Sequence, residues 1–395
     1  MEKVIELEVD RVATGGAGIA RDTEGRIVFI DGGIPGDLVR ASITRQRKQF
    51  ANATVVEVLR PSADRVEAPC PHVADGCGGC DWQHVAPAAQ SDLRRRIVVD
   101  SLRRGGKIDD VEVRVGGLLP PDGYRTTVRA AISGGRAGLR RAASHEVVVP
   151  GSCLVCHPLV DELLTDGRFI GAKEVRISVG ARTGERMVLI EPLPGADLEI
   201  SLPDDVRVAR SDQLDSSRPV FIHEEVGGYR FRISAGSFFQ CRPDGAEALV
   251  QAVHDVISVD DGPLLDAFCG VGLFGALIGR GRPLTAVENS RSSVLDARVN
   301  LPAATIVESP FEDWSPQPMA TVIADPSRHG LDKRGVANVV ATGATNVILV
   351  SCDPASLGRD AALLVASGYR LASVTVVDLF GHTSHVETVS AFTLP

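Results

Sequence analysis

Residues 236–395 alternate short apolar runs with longer segments of helical periodicity. The apolar runs lie at 263–268, 284–288, 321–325 and 346–352. Strands that alternate with helices in this way pair in parallel, and the helices cover both faces of the sheet. The pattern therefore predicts an α/β domain with Rossmann-like topology. It also places any ligand at the carboxyl ends of the strands.

Two further apolar runs, 374–380 and 385–394, end the chain and are separated by a turn. They predict a hairpin added to the parallel sheet. This is the arrangement of the class I S-adenosylmethionine-dependent methyltransferases, so the likeness at this point is one of fold alone.

Residues 1–59 predict a small N-terminal β-barrel. Several short apolar runs are separated there by turns rich in Gly and Asp, which is typical of such barrels. Arg45, Arg47 and Lys48 lie beside Phe50, a grouping that can contact a phosphate backbone and a base.

Residues 60–235 predict a mixed α+β central domain that begins with an excess of basic charge. The whole chain has a net charge of −9, yet residues 91–145 hold 12 basic and 6 acidic side chains. Local positive charge favours an anionic partner such as nucleic acid. A solvated helix face would give the same count.

The composition indicates a globular protein. Of the 395 residues, 44% are hydrophobic and 24% are charged, which excludes disorder as the main state. No run approaches the roughly 18 consecutive apolar residues of a membrane helix, and the N-terminus lacks the apolar core of a signal peptide. We expect a cytoplasmic protein without a membrane partner, and nothing in the sequence implies a protein partner.

Five of the eight cysteines are grouped at two places in the chain, namely Cys70, Cys77 and Cys80, then Cys153 and Cys156. A cytosolic chain of this size does not need disulfides, so grouped cysteines indicate metal ligands or catalytic thiols. A zinc site of four thiolates could use Cys77, Cys80, Cys153 and Cys156 and leave Cys70 idle.

Polar or reactive side chains follow the predicted strands of the C-terminal domain. A glycine turn at 266–272 follows the first strand and Glu288 ends the second. This spacing suits a nucleoside whose ribose hydroxyls bind the carboxylate, although the full dinucleotide fingerprint is missing. Asp325 and Cys352 follow two later strands. A tight turn and a buried small thiol would also account for these residues.

Glu387 lies in an apolar, strand-like run near the C-terminus. A carboxylate in such a run needs a partner or a chemical role. Close to a nucleophilic thiol it can act as a general base; the alternative is an exposed residue on an edge strand.

Taken together, these motifs resemble those of the RNA uracil-5 methyltransferases that use S-adenosylmethionine. The resemblance runs in order along nearly the whole chain and rests on SFFQ at 237–240, DAFCGVG at 266–272, DPSRHGL at 325–331, SCDPASLGRD at 351–360 and HVETV at 385–389. Residues 1–59 look like the TRAM RNA-binding domain of some members. The segment CPHVADGCGGC at 70–80 looks like the iron–sulfur segment of a subset.

The resemblance implies an enzyme that forms 5-methyluridine in RNA, with Cys352 as nucleophile and Glu387 as general base. Addition of the thiolate to C6 would make C5 of uracil nucleophilic enough to accept a methyl group. The implied residues for S-adenosylmethionine are Gln240, Phe268, Glu288 and Asp325. For stacking on a base flipped out of the RNA they are Phe238 or Phe239.

The resemblance also implies a [4Fe–4S] cluster held by Cys70, Cys77, Cys80 and Cys153. Cys153 is preferred as the fourth ligand because it fits the family spacing Cys-x-Val-x-x-Pro. Cys156 stays an alternative, and so does the zinc site.

Three positions depart from the family pattern. Leu273 and Arg242 stand where the family has asparagine, and Ser327 is the third residue of the DPPR motif. They leave open the target uridine and the strength of cofactor binding. The front half of the chain favours ribosomal RNA over transfer RNA. The alternative function is a catalytically idle RNA-binding iron–sulfur scaffold, whereas a small-molecule methyltransferase would leave the barrel and the basic segment unexplained.

Overall fold

The structure, a computed structural model, describes residues 3–215, 217–257 and 262–394. It contains an N-terminal sheet, a central sheet and a C-terminal α/β sheet, together with two smaller two-stranded sheets. In these residues we find no helix that is long and apolar enough to cross a membrane.

The N-terminal part is a curled sheet of six strands. These are β1 (Val4–Glu8), β2 (Arg11–Val12), β3 (Gly18–Arg21), β4 (Ile27–Asp31), β5 (Leu38–Gln46) and β6 (Phe50–Arg60). Their order is β1-β5-β6-β4-β3-β2, with β4 and β6 parallel. Leu7, Val28, Val39 and Ala53 come from four different strands and share one apolar core. The predicted barrel-like domain is thereby confirmed.

The central part is built on a six-stranded sheet. The elements between residues 87 and 234 are α1 (Pro87–Ser101), β7 (Val113–Val115), β8 (Thr127–Ser133), β9 (Arg136–Arg140), β10 (Val147–Val148), α2 (Pro158–Asp166), β11 (Arg168–Ile170), β12 (Ala172–Val179), β13 (Arg186–Pro192), β14 (Glu199–Ser201), β15 (Val206–Arg210), β16 (Phe221–Val226) and β17 (Tyr229–Ser234). The strand order of the sheet is β10-β9-β8-β12-β13-β15. Val160, Leu163 and Leu164 of α2 enter the core of the sheet.

The C-terminal part is the predicted Rossmann-like domain. Its elements are α3 (Pro243–His254), β18 (Leu264–Ala267), α4 (Leu273–Leu277), β19 (Leu284–Glu288), α5 (Arg291–Asn300), β20 (Thr305–Glu308), β21 (Thr321–Ala324), α6 (Asp332–Ala341), β22 (Asn346–Ser351), α7 (Pro354–Ala366), β23 (Arg370–Val376) and β24 (Thr388–Thr393). The strand order is β20-β19-β18-β21-β22-β24-β23-β7. β18 to β22 are parallel, and β24 lies antiparallel between β22 and β23. The α/β fold with a final hairpin is confirmed.

Two elements of the segment 60–235 pack on the C-terminal sheet rather than on the central one. β7 pairs in parallel with β23, and α1 contacts α7 and β23. Leu93 and Ile97 of α1 lie in the same apolar core as the sheet. The boundary that the sequence analysis placed at residue 235 therefore does not separate these elements from the C-terminal domain, because a long-range strand pairing leaves no local pattern in the sequence.

A buried ion pair attaches α1 to the loop between β23 and β24. The Arg94 side chain is 1% exposed and its guanidinium binds the carboxylate of Asp378. It also donates to the backbone carbonyls of Phe380 and Thr383, each at 2.7 Å. One of the arginines that the sequence analysis counted toward an anionic partner is thus part of the core.

We expect Asp378→Ala to lower the free energy of unfolding by about 3–5 kcal/mol, because it leaves the Arg94 guanidinium buried without its counter-charge. The matched control is Asp92→Ala on the same helix. It removes ion pairs of Arg95 and Arg96 that are well exposed and should cost at most about 1 kcal/mol. Urea unfolding followed by circular dichroism measures both, and equal losses would contradict the assignment.

Candidate functional site at the carboxyl edge of the C-terminal sheet

Four of the residues singled out in the sequence lie along one edge of the C-terminal sheet. Phe268 directly follows β18, Glu288 is the last residue of β19, Asp325 directly follows β21 and Cys352 directly follows β22. The parallel ladder aligns Ala267 at the end of β18 with Val287 near the end of β19 and with Ala324 at the end of β21. The structure therefore places these side chains side by side at the edge where α/β proteins bind ligands.

Cys352 and Glu387 are brought together by the antiparallel pairing of β22 with β24. Ser351, the last residue of β22, pairs with Thr388, the first residue of β24. Cys352 therefore leaves the sheet at the point where Glu387 enters it. Cys352 is half-buried, and Glu387 is only 4% exposed. The structure thus places the predicted nucleophile and the predicted base in one site.

Burial and mutual repulsion favour the neutral forms of three groups in this site. Burial, together with the negative charges of Glu387 and Asp325, raises the pKa of the Cys352 thiol to about 12, and the Arg328 cation opposes this shift. Burial raises the pKa of Asp325 to about 7. Burial and the charge of Asp325 raise the pKa of Glu387 well above its ordinary value. A cation bound at this edge would favour the ionised forms of all three groups.

The glycine turn after β18 holds a buried carboxyl group. Gly272 has φ 98°, and a Cβ there would lie 2.7 Å from Cδ1 of Leu301, so the turn requires glycine. Asp266 is fully buried, and its Oδ2 accepts a hydrogen bond from the Gly275 N–H at 2.8 Å. Within the described part of the chain, its Oδ1 has no hydrogen-bond partner.

Glu288 faces the same turn from β19. Its carboxylate accepts hydrogen bonds from the backbone N–H groups of Gly270 at 3.0 Å and Ser290 at 2.6 Å. These bonds fix the carboxylate and leave further lone pairs for a ligand. Phe268 has φ 63°, and its ring lies 5.1 Å from that of Phe311.

The SFFQ segment before α3 presents one free aromatic ring. Phe238 is 69% exposed, whereas the Phe239 ring packs against Phe231 at a centroid distance of 5.5 Å. Of the two predicted stacking residues, Phe238 is the one whose ring is open to solvent. Gln240 is half-buried.

The three departures from the family pattern have different surroundings. Leu273 is 6% exposed and lies in the apolar core under the turn. Arg242 is 1% exposed; its guanidinium donates to Asp244 at 2.8 and 2.7 Å and lies 4.5 Å from the ring centre of Tyr124. Ser327 is exposed. The arginine thus forms an internal ion pair at the start of α3.

A second site lies in the central part of the protein, where five cysteines surround one cavity. The lining includes Cys70, Cys77, Cys80, Cys153 and Cys156, and all eight cysteines of the chain are free. The Arg125 side chain belongs to the same lining. Among the residues that the structure describes, no group of three or more His, Cys, Asp or Glu side chains is arranged to hold a metal ion.

The two cysteines of the second group differ in their position in this cavity. Burial, with a smaller contribution from the charge of Cys153, raises the pKa of Cys77 and raises that of Cys80 to about 11. Cys156 is 4% exposed, and a hydrogen bond from its thiol lowers the pKa of Cys153 to about 6. Of Cys153 and Cys156, Cys153 is therefore the one whose charge raises the pKa values of Cys77 and Cys80.

The loop in front of Glu387, which we call the 377–387 loop, is held by residues that were not predicted as site residues. Besides Arg94, these include Asp81, whose carboxylate accepts hydrogen bonds from the backbone N–H and the hydroxyl of Ser384. No local motif marks these contacts. The one available signal was the position of Asp81 directly after Cys80.

Comparisons with known proteins agree with this architecture. Residues 2–56 match the TRAM domain. The chain is 36% identical to a protein of Streptomyces avermitilis named "Uncharacterized RNA methyltransferase", over 99% of this chain and 98% of the relative. It is 31% identical to the 23S rRNA (uracil(1939)-C(5))-methyltransferase RlmD of Alkalilimnicola ehrlichii, over 98% of this chain and 96% of the relative.

Among solved structures, the fold is similar to that of the tRNA (uracil-54, C5)-methyltransferase of Pyrococcus abyssi in complex with S-adenosyl-L-homocysteine. The TM-score is 0.76 at 23% sequence identity, and the match covers 98% of this chain and 99% of that chain. The three-part architecture is therefore shared over the full length of both proteins.

We expect alkylation of Cys352 by iodoacetamide to accelerate continuously between about pH 7 and about pH 10, because the pKa of its thiol lies near 12 and not near the usual value of about 8.5. Glu387→Gln removes the negative charge that Glu387 carries above its raised pKa, and this charge raises the pKa of Cys352. The variant should therefore react faster at the alkaline end of this range. Mass spectrometry of the Cys352 peptide measures both rates. A plateau above about pH 9 in the unchanged protein would contradict the prediction.

Proposed function

The chain belongs to the family of RNA uracil-5 methyltransferases, and from this premise we propose that it forms 5-methyluridine in ribosomal RNA through a covalent bond between Cys352 and C6 of uracil. The observation that supports the proposal most directly is the placement of Cys352 beside Glu387 by β22 and β24. A thiol and a carboxyl group at a ligand-binding edge suit nucleophilic addition followed by removal of a proton.

The first step is the addition of Cys352 to the target uracil. The Sγ atom gives its proton to solvent water and bonds to C6, and the electron pair of the C5–C6 double bond moves toward C5 and the O4 carbonyl. The raised pKa of Cys352 means that this thiolate forms only with help from positive charge. Arg328 provides part of that charge, since it lowers the pKa of the thiol.

The second step restores the aromatic base. S-adenosylmethionine, when bound, supplies an electrophilic methyl group and a positive charge. Once C5 is methylated, the Glu387 carboxylate removes the remaining C5 proton, the C5–C6 double bond forms again, and Cys352 leaves as a thiolate. The raised pKa of Glu387 makes it a stronger base in its ionised form.

The residues at the sheet edge fit a nucleoside ligand. Glu288 is fixed by two backbone N–H groups and can accept hydrogen bonds from ribose hydroxyls. Asp266 has a buried oxygen without a partner in the described chain. We propose that Gln240, Phe268, Glu288 and Asp325 would hold S-adenosylmethionine, whose positive charge would favour the ionised form of Asp325.

Several features support RNA, and ribosomal RNA in particular, as the substrate. Phe238 offers an exposed ring on which a flipped base can stack. In the N-terminal sheet, Arg45, Arg47 and Lys48 are exposed beside Phe50, which is 38% exposed. The relative from Alkalilimnicola ehrlichii, at 31% identity, is named for 23S ribosomal RNA, which supports the choice of RNA class.

The chain, with S-adenosylmethionine and unmodified RNA transcripts, should produce 5-methyluridine in ribosomal RNA and not in transfer RNA. Cys352→Ala should lower the rate by at least about 10³-fold, because it removes the nucleophile. Digestion of the RNA and mass spectrometry of the nucleosides measure the product. Product in transfer RNA alone would overturn the choice of RNA class. RNA binding without any product would favour the idle-scaffold alternative.

The same assay with Glu387→Gln separates the two steps. This variant should still attach to RNA and transfer the methyl group, but it should not release the product, because no base removes the C5 proton. A shifted protein band that persists on a denaturing gel is the expected result. Free product at an unchanged rate would contradict the role of Glu387.

We further propose that the cysteine cavity holds a [4Fe–4S] cluster through Cys70, Cys77, Cys80 and Cys153. Four thiolates and a cluster have net negative charge, which the Arg125 guanidinium in the lining can balance. A zinc site of four thiolates would use Cys77, Cys80, Cys153 and Cys156 and leave Cys70 idle, whereas Cys70 belongs to the lining of the cavity as well.

Protein purified without air should contain about four iron atoms and four sulfides per chain. Cys153→Ser should lose most of this iron, whereas Cys156→Ser should retain it, because the proposed set of ligands uses Cys153 and leaves Cys156 out. Iron and sulfide analysis with an absorption spectrum measures the content. Stoichiometric zinc in place of iron would contradict the proposal, and iron loss only in Cys156→Ser would reverse the choice of ligand.

A further inference from the structure

Four consecutive residues, Cys80 to Gln83, contact two sites at once. Cys80 and Gln83 belong to the lining of the cysteine cavity. The Gln83 side chain is 3% exposed, and its Oε1 accepts a hydrogen bond from the backbone N–H of Cys70 at 3.0 Å. The first and last residues of this segment are therefore fixed by the cysteine site.

The two middle residues of the segment hold the 377–387 loop. Oδ1 and Oδ2 of Asp81 accept hydrogen bonds from the backbone N–H of Ser384 at 2.9 Å and from its hydroxyl at 2.5 Å. The backbone N–H of Trp82 donates to the carbonyl of His382 at 3.0 Å. Ser384 and His382 are both buried, at 6% and 3% exposure.

The N-terminal sheet closes over this contact. The Trp82 indole N–H donates to the carbonyl of Gly16 at 3.1 Å. A Cβ on Gly16 would lie 2.7 Å from the Cβ of Ser384 and 2.9 Å from Oδ2 of Asp81. Ser384 is thus packed against Gly16 and Asp81, at the contact between the N-terminal and C-terminal parts, while Asp81 itself is also exposed to solvent.

The 377–387 loop transmits this restraint to Glu387. The loop ends at Glu387, and its two ends are joined by a hydrogen bond of 2.8 Å from the Val377 N–H to the Glu387 carbonyl. Leu379 and Val386 are buried, so the loop is packed along its length. A general base must lie within hydrogen-bond reach of the proton that it removes, and an error of about 1 Å in position can cost about 100-fold in rate.

We propose that Asp81 is a positioning residue for the proton-removal step, and that the Cys80–Gln83 segment links the state of the cysteine cavity to the position of Glu387. This deepens the proposed function and rests on it, because it takes Glu387 as the base. Loss of the cysteine site then slows product release, while Cys352 still adds to RNA.

The first test separates methyl transfer from release in a single turnover. Asp81→Ala should slow release about 10-fold and accumulate the covalent protein–RNA band, with KM for RNA within about twofold of the unchanged protein. Asp81→Asn keeps an acceptor for the Ser384 N–H and should restore most of the release rate. The control is Asp75→Ala, which removes an exposed acid of the same cysteine-rich segment. The Asp75 carboxylate pairs with His72 at 3.0 Å and not with the 377–387 loop.

The second test does not depend on activity. Hydrogen exchange of the peptide spanning 377–387 should be faster in Asp81→Ala and in Cys77→Ser than in the unchanged protein, and unchanged in Asp75→Ala. Iron content should be normal in both aspartate variants. Asp81→Ala and Asp75→Ala keep every cysteine, so the comparison between them remains informative even if Cys77→Ser does not fold.

The two tests distinguish failure of this inference from failure of the proposed function. If the unchanged protein forms 5-methyluridine but Asp81→Ala shows neither the covalent band nor faster exchange, the link is wrong. If methyl transfer and release fall in the same proportion, Asp81 acts on stability alone, and the inference is also overturned. If the unchanged protein forms no 5-methyluridine, the proposed function fails. In that case, the link is overturned as well if hydrogen exchange of the 377–387 loop in Asp81→Ala is no faster than in the unchanged protein.

Discussion

The hydrogen-bond register between β22 and β24 fixes how a thiol and a carboxyl group from distant parts of the sequence meet. Ser351 opposes Thr388, and the residue after one strand is therefore placed beside the residue before the other. A slip by one residue would turn every side chain of β24 to the opposite face of the sheet. Thr388 to Phe392 are all buried, with Val389 and Phe392 in two different apolar cores. Such a slip would exchange the side chains that pack in these cores, and the packing thereby enforces the geometry of the site.

The same burial that fixes the register also favours the neutral forms of the titratable groups in the site. Cys352, Glu387 and Asp325 share one poorly solvated edge, where burial raises the pKa of each. A neutral thiol is a poor nucleophile, which protects it from unwanted reactions. A bound cation would favour ionisation of all three groups. In the proposed mechanism, the positive charge of the methyl donor would therefore help to activate Cys352 and Glu387.

Features set by local periodicity could be predicted from the sequence, and features set by long-range contacts could not. The alternation of strands and helices predicted the C-terminal sheet, and strand-end positions predicted Cys352 as a site residue. No local pattern indicates that β7 pairs with β23, or that Asp81 meets Ser384 across 303 positions. Each of these contacts joins two parts of the chain that lie far apart in the sequence, so no local periodicity or motif marks it.

The fluorinated analogue of the substrate tests the central claim most directly. In RNA with 5-fluorouridine at the target position, fluorine replaces the proton that Glu387 must remove, so the adduct cannot break down. After incubation with S-adenosylmethionine, nuclease and protease digestion, mass spectrometry should find a methylated fluorouridine nucleotide attached to Cys352. RNA binding without any adduct, or attachment to another residue such as Cys241, would contradict the account.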